Sequence, residues 1–287
     1  EQTARGTGCT GKAGVCGKKE DTAFLQDELT GALIGLARAG NGRLPTDSAR
    51  KVMMEGLFTT VTNVDFDNAS IQAKIEKVRR EIKALCGSDE YCGTEAELKN
   101  LWTADEDIRS LKSLLLLGMR GMAAYAHHAY VLGYEDDMVM DFFAKALAAV
   151  GSEDMGQEEL LALVMEAGKV NLACMALLDK ANTETYGTPV PVTVPLTIEK
   201  GPFIVVTGHD LLDLYHLLEQ TKDKGINIYT HGEMLPAHAY PKLKAYPHLK
   251  GNFGTAWQSQ QKEFAHIPAP ILFTTNCLMP VTDSYYD

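Results

Sequence analysis

Positive charge is in short supply in this chain, with 27 Lys and Arg against 38 Asp and Glu and a formal net charge of -11. Phosphate binding needs a clustered basic face, so no nucleic-acid partner is expected. Long apolar runs are scarce too. The most apolar stretch, Leu114 to Met119, is bounded by Lys112 and Arg120, far short of the roughly 18 to 20 residues a membrane span takes. No membrane segment is therefore expected. The opening Glu1-Gln2-Thr3-Ala4-Arg5 has no apolar core of a secretory signal, which makes a cytoplasmic location the expectation. Six cysteines in 287 residues are too few for a disulfide scaffold, so reduced thiols are expected.

What is present is an ordinary globular composition, 45% hydrophobic and 23% charged, with length enough for two domains that each bury a core. From Asp21 to about Ala181 the pattern is helical. Leu25, Leu29, Leu33 and Leu36 recur at helical spacing before the stop at Gly40. A second helix follows Pro45-Thr46-Asp47, and a third runs from about Ser70 through Ile71, Ile75 and Val78 to Gly87. Three more are predicted from about Asp105 to Leu132, Asp136 to Val150 and Gln157 to about Asp179, with acidic residues at their N-terminal ends. Two tandem three-helix bundles are the economical reading. Cys174 reads as core packing, while Cys86 and Cys92, flanking a loop, are open to chelation, pairing or neither.

The composition changes at Tyr186-Gly187-Thr188-Pro189-Val190-Pro191, where Pro and Gly close the helical region. Beyond it lie a β-rich run Val192 to Leu196, a strand Phe203 to Thr207, a helix Asp210 to Gln220, a strand Ile226 to Thr230, a polar helix after Trp257 and a strand at Ile271. Such alternation predicts βαβ units in a parallel sheet. The expected architecture is a helical domain over residues 1–190 with an N-terminal cysteine loop. A Rossmann-like α/β domain over 191–287 follows it, apparently truncated because a doubly wound sheet usually has five or six strands.

The three strands that begin at Phe203, Ile226 and Ile271 each end in a metal-type donor: His209, Glu233 and Cys277. Strand ends on the carboxyl side of an open parallel sheet line the ligand crevice. Imidazole, carboxylate and thiolate together suit a transition metal better than magnesium or calcium. Each also has an ordinary reading, as a loop residue beside a helix cap, a solvated loop acid and a buried free cysteine. His231 and His238 bracket Glu233 as candidate proton donors, or as residues that cap a loop or face solvent.

Near the start, Gly6-Thr7-Gly8-Cys9-Thr10-Gly11 matches G-x-G-x-x-G and, with Lys12, nearly a P-loop, Ala13 standing where Ser or Thr belongs. Both motifs need a preceding strand, and none is expected upstream. A glycine loop wrapping a metal cluster, with Cys9 and Cys16 as thiolate ligands, accounts better for these residues.

Glu1-Gln2-Thr3 followed by Cys9, Cys16 and Gly17-Lys18 resembles the N-terminus of the hybrid cluster proteins, also called prismane proteins, in which a Cys-x-x-Cys pair precedes the Glu-Gln-Thr. Gly208-His209-Asp210-Leu211, the run Thr230 to His238, Gly254-Thr255-Ala256-Trp257 and Phe273-Thr274-Thr275-Asn276-Cys277-Leu278 follow in family order. The resemblance covers the whole chain but about the N-terminal half of a family member.

It implies that His209, Glu233 and Cys277 are ligands of a hybrid 4Fe-2O-2S cluster. It also implies that Cys9 and Cys16 hold a conventional cluster, 4Fe-4S or 2Fe-2S. The remaining ligands would come from a C-terminal domain. The implied activity is reduction of small nitrogen oxides, nitric oxide to nitrous oxide or hydroxylamine to ammonia, with an electron-donating reductase or ferredoxin as partner. Two readings compete: a non-catalytic, metal-free module that binds a partner, and a carbon monoxide dehydrogenase relative, whose additional cysteine-rich segments are not seen.

Overall fold

The structure is a computed structural model that describes residues 14, 16–87 and 92–286, the side chain of Trp102 excepted. Its helices are α1 (Glu20–Ala39), α2 (Asp47–Thr59), α3 (Asn68–Cys86), α4 (Leu98–Trp102), α5 (Glu106–Tyr130), α6 (Asp137–Gly151) and α7 (Gln157–Tyr186). Several begin where a side chain supplies an acceptor to the first turn. Thr46, Asp67, Asp105 and Asp136 accept from the backbone N–H of Ala49, Ala69, Asp107 and Met138. Each such cap satisfies a donor with no intrahelical partner and contributes about 1 kcal/mol.

The chain divides into two units, with the boundary inside α7. The first holds Lys19–Val61 and Asp67–Asp179. Within it α1 packs on α2, α3 and α6, and α2 packs also on α5. The apolar positions read at helical spacing, Leu29, Leu33, Leu36, Ile71, Ile75 and Val78, are all fully buried. Burial of such side chains stabilises by about 1.5–3 kcal/mol each, which fixes these helices far more firmly than their propensities do. Cys174 of α7 is buried as read, and burial pushes its thiol up to about 12.

Among the described residues α7 is the one helix whose length and composition would suffice to cross a membrane, with a window of mean hydropathy 1.6 that is 22% buried. That window lies in a later helix than the Leu114 to Met119 run. Glu166 within α7 pairs with Lys145 of α6 at 2.7 Å, and Leu160, Leu163 and Val170 are buried against the same unit.

Cys86 and Cys92 are joined as a disulfide, which corrects the expectation of reduced thiols at these two positions. Gly87 caps α3 at φ +63, and the chain returns so that the two Cα atoms lie 5.4 Å apart. That spacing falls in the range a disulfide bridges, a closure that the spacing in sequence did not decide.

The second unit holds Thr62–Phe66, Lys180–Asp287 and the described residues up to Lys18. Its strands are β1 (Phe203–Thr207), β2 (Asn227–His231), β3 (Leu249–Phe253) and β4 (Ile271–Phe273), all parallel in the order β3-β2-β1-β4. α8 (Leu211–Thr221) links β1 to β2, while α9 (Pro241–Lys244) and α10 (Gln260–Glu263) are single turns. The helical region followed by a parallel sheet is the architecture expected from periodicity.

Three local readings change. The run Val192 to Leu196 forms no strand, because Pro191 and Pro195 remove two ladder donors. It stays close to β3 even so, since Pro195 O accepts from Asn252 N at 2.9 Å. β3 itself, Leu-Lys-Gly-Asn-Phe, carries no β-branched residue and was not predicted; pairing with β2 makes it a strand. The helix expected after Trp257 is a 3-10 turn and one α-turn.

Candidate functional site

The strand order places a topological switch between β1 and β4. The chain moves from β1 outward through β2 to β3, then returns to the other side of β1. A crevice opens at the carboxyl ends of strands where the order reverses. His209 follows β1 and Cys277 follows β4, so the two residues flank that crevice. Glu233 follows β2, in the first turn of a 3-10 helix over Gly232–Ala239.

The ladder between β1 and β4 continues past both strands. Thr274 N donates to Thr207 O at 3.0 Å, and His209 N donates to Thr275 O at 2.8 Å. Asp210 then caps α8, accepting from Leu212 N and Asp213 N at 2.8 and 3.0 Å. His209 is thereby held between a strand end and a helix cap, and its Nε2 lies 3.2 Å from Cys277 Sγ.

Glu233 is exposed, yet its charge reaches both neighbours. Burial lowers the His209 pKa against the pull of Glu233, which keeps the imidazole neutral and able to ligate. Burial and then Glu233 push the Cys277 thiol up. The thiol therefore gives up its proton to solvent readily only where a metal cation takes that proton's place on the sulfur.

Among the described residues no three His, Cys, Asp or Glu side chains converge as a site for a single metal ion. The donor set fits one side of a larger group instead. Histidine nitrogen and cysteine sulfur sit together at the crevice within reach of the Glu233 charge, a mixed set that suits an iron-sulfur group better than a lone ion. Three donors do not complete such a group.

Cys9 lies outside the described residues. Cys16 is buried. Its carbonyl accepts from Asn63 Nδ2 at 3.3 Å, and the same amide nitrogen donates to Leu278 O at 2.8 Å. Leu278 N returns a bond to Asn63 O at 3.1 Å. One side chain thus ties the proposed ligand Cys16 to the residue that follows Cys277. Nothing in the spacing of Asn63 signalled this.

His231 and His238 neither cap a loop nor face solvent, since both are fully buried. His231 Nε2 lies 2.8 Å from Glu263 Oε2, and its Nδ1 is 3.1 Å from Thr207 Oγ1. Burial lowers its pKa in spite of Glu263. Glu263, although burial raises it, is held below the usual carboxylate range by Thr255 and His231.

His238 Nε2 meets Thr230 Oγ1 at 2.9 Å, and that hydroxyl donates to Asn252 Oδ1 at 3.0 Å. Nε2 therefore carries the hydrogen, and Nδ1 has no partner. Burial, with Lys244 nearby, outweighs the Gly251 backbone and takes the His238 pKa from 6.5 to about 4. A base depressed in the folded state costs stability as pH falls, because the unfolded chain takes up the proton first. Between about pH 6.5 and pH 4 the native state should lose roughly 3 kcal/mol through this group. Denaturation midpoints across that interval should therefore fall more steeply for the parent than for His238→Gln; parallel profiles would refute the assignment.

The family model for the Prismane/CO dehydrogenase family matches residues 2–287. A hydroxylamine reductase of Methanocella arvoryzae is 46% identical over 99% of this chain and 58% of its own length. One from Desulfitobacterium hafniense is 44% identical over 100% and 57%, and one from Solidesulfovibrio magneticus is 47% identical over 99% and 57%. The chain spans a little over half the length of these curated relatives. With a match running from residue 2 to residue 287, through the strand-end donors and the loop of Cys16, the chain belongs to the Prismane/CO dehydrogenase family.

Proposed function

We propose that this chain is the N-terminal part of a cytoplasmic iron-sulfur oxidoreductase that reduces hydroxylamine to ammonia, and nitric oxide to nitrous oxide, at a hybrid 4Fe-2O-2S cluster. The observation that carries the reading is the meeting of His209 and Cys277 across the β1/β4 switch, with Glu233 beside them. In this reading those three residues hold one side of the hybrid cluster, and the part of the relatives that extends beyond this chain supplies the rest.

Cys9 and Cys16 hold a conventional cluster, 4Fe-4S or 2Fe-2S, fed by an electron-donating reductase or ferredoxin. Once bound, the hybrid cluster would supply an open iron position and the electrons that break the N–O bond. The polypeptide's own contribution is positional. The α8 cap and the extended β1/β4 ladder orient His209. Cys277 gives up its proton on ligation. Glu233, exposed on a turn, is the ligand freest to move.

Burial lowers the pKa of both His231 and His238, so in this reading other groups or water are the better source of the protons that hydroxylamine reduction consumes.

The test is iron and acid-labile sulfide per polypeptide, measured on the full-length protein purified without oxygen, followed by hydroxylamine-dependent oxidation of a reduced viologen dye. Two clusters' worth of iron with hydroxylamine turnover is the expected result. Little or no iron would overturn the reading in favour of a metal-free binding module.

A further inference from the structure

The polar turn after Trp257, read from sequence as a polar helix, contains a fully buried side chain, Gln260. Its Nε2 donates to Cys277 O at 2.9 Å and to Thr207 Oγ1 at 3.2 Å, while its Oε1 accepts from Met279 N at 2.8 Å. A primary amide has two hydrogens to give, and both are used. Gln260 therefore grips the chain at the Cys277 carbonyl and again at Met279, two residues further on.

The grip matters because Asn276 and Cys277 adopt φ of 69° and 50°, a left-handed conformation that non-glycine residues avoid. Such a pair persists only where the surroundings impose it. Asn63 supplies one restraint through Leu278, and Gln260 supplies the other.

The orientation of the Gln260 amide is itself fixed by a directional chain. Thr207 Oγ1 accepts from Gln260 and so turns its own hydrogen toward His231 Nδ1. His231 then presents its Nε2 hydrogen to Glu263, which also accepts from Thr255 N at 3.0 Å. Every hydrogen in the sequence has one acceptor, and reversing the amide would set carbonyl against carbonyl at Cys277.

We propose that Gln260 is the positioning residue that holds the Cys277 sulfur in its ligating orientation, and that Thr207, His231 and Glu263 serve to fix the Gln260 amide. This rests on Cys277 being a cluster ligand. The role assigned to Gln260 differs from core packing in acting on one loop.

The test compares Gln260→Glu, Gln260→Leu, Thr207→Val and Cys277→Ala in the full-length protein. In the iron-stripped form, the alkylation rate of Cys277 by iodoacetamide is followed by mass spectrometry, with buried Cys174 as internal reference. Loss of the Gln260 bonds should speed Cys277 alkylation about ten-fold and leave Cys174 unchanged. Thr207→Val should give a smaller acceleration in the same direction. In the iron-loaded form, the Gln260 variants should shift the electron paramagnetic resonance spectrum while retaining most of the iron.

Parent-like alkylation and spectra in both Gln260 variants overturn the proposal. If neither variant folds, an unchanged Cys277 rate in Thr207→Val overturns it. Parent-like iron and spectra in Cys277→Ala overturn the ligand assignment, and this proposal with it, whatever the Gln260 variants do.

Discussion

Cys277→Ala in the full-length protein is expected to lower hydroxylamine turnover by at least 100-fold and to reduce the iron content by about one cluster. Residues that merely orient a metal ligand typically cost 10–100-fold when removed, so removal of the ligand itself should cost more. His209→Ala should behave alike, since the bond from His209 N to Thr275 O and the α8 cap at Asp210 fix its place at the crevice. Glu233→Ala should differ. Its carboxylate is exposed on a turn, so iron should be largely retained while turnover falls. Metal analysis alongside the viologen assay checks all three; full turnover in Cys277→Ala would eliminate the strand-end site.

Gly208→Ala is the second large effect. The residue has φ +107, and a Cβ there would stand 2.1 Å from Thr274 Oγ1 and 2.8 Å from the backbone N and O of Thr275. Two of those are backbone atoms, and Thr275 O accepts the bond from His209 N, so the clash cannot be relieved by turning a side chain. Left-handed strain of roughly 1–2 kcal/mol and overpacking of roughly 1–3 kcal/mol give a cost of about 3–4 kcal/mol. Iron should be lost with it, because the two segments must separate.

Gly232→Ala is the control. Gly232 has φ +58, but its nearest atom would be 3.7 Å from an added Cβ. It should lose only the backbone contribution, about 1 kcal/mol, and keep its iron. Denaturation of the second unit, followed for both variants, separates the two cases; equal losses would mean that the β1/β4 junction is slack.

Much of this was legible in the chain itself. β1 is a short apolar run of the kind a sheet buried on both faces requires, β2 carries Ile228 and Tyr229 at its centre, and both strands sit within a residue of the reading. The places of His209, Glu233 and Cys277 beyond the strand ends were legible because each lies two to four residues past a strand. The edges of the sheet were not. β3 has a Gly and a Lys in its middle and owes its conformation to β2, while the Pro-flanked Val192 to Leu196 looks more β-like and forms no ladder.

The polar partners were hidden for a different reason. Gln260, Glu263 and Asn63 lie 14 to 214 residues from the Cys277 they help to hold, and in sequence a buried glutamine looks the same as a solvated one. The disulfide of Cys86 and Cys92 was one of several open readings until the turn at Gly87 brought the two together.

The sequence by itself determined the helical half, the alternation that makes a parallel sheet, and the donor type at each strand end. Those are set by local periodicity and by short-range burial, which a linear chain displays. The tertiary structure alone decided that β4 lies beside β1 rather than beyond β3. It also decided which carbonyls Gln260 and Asn63 reach, and that His231 and His238 are buried. Strand order and burial arise from contacts between residues remote in the chain, and the energy of a polar group depends on those contacts far more than on its neighbours in sequence.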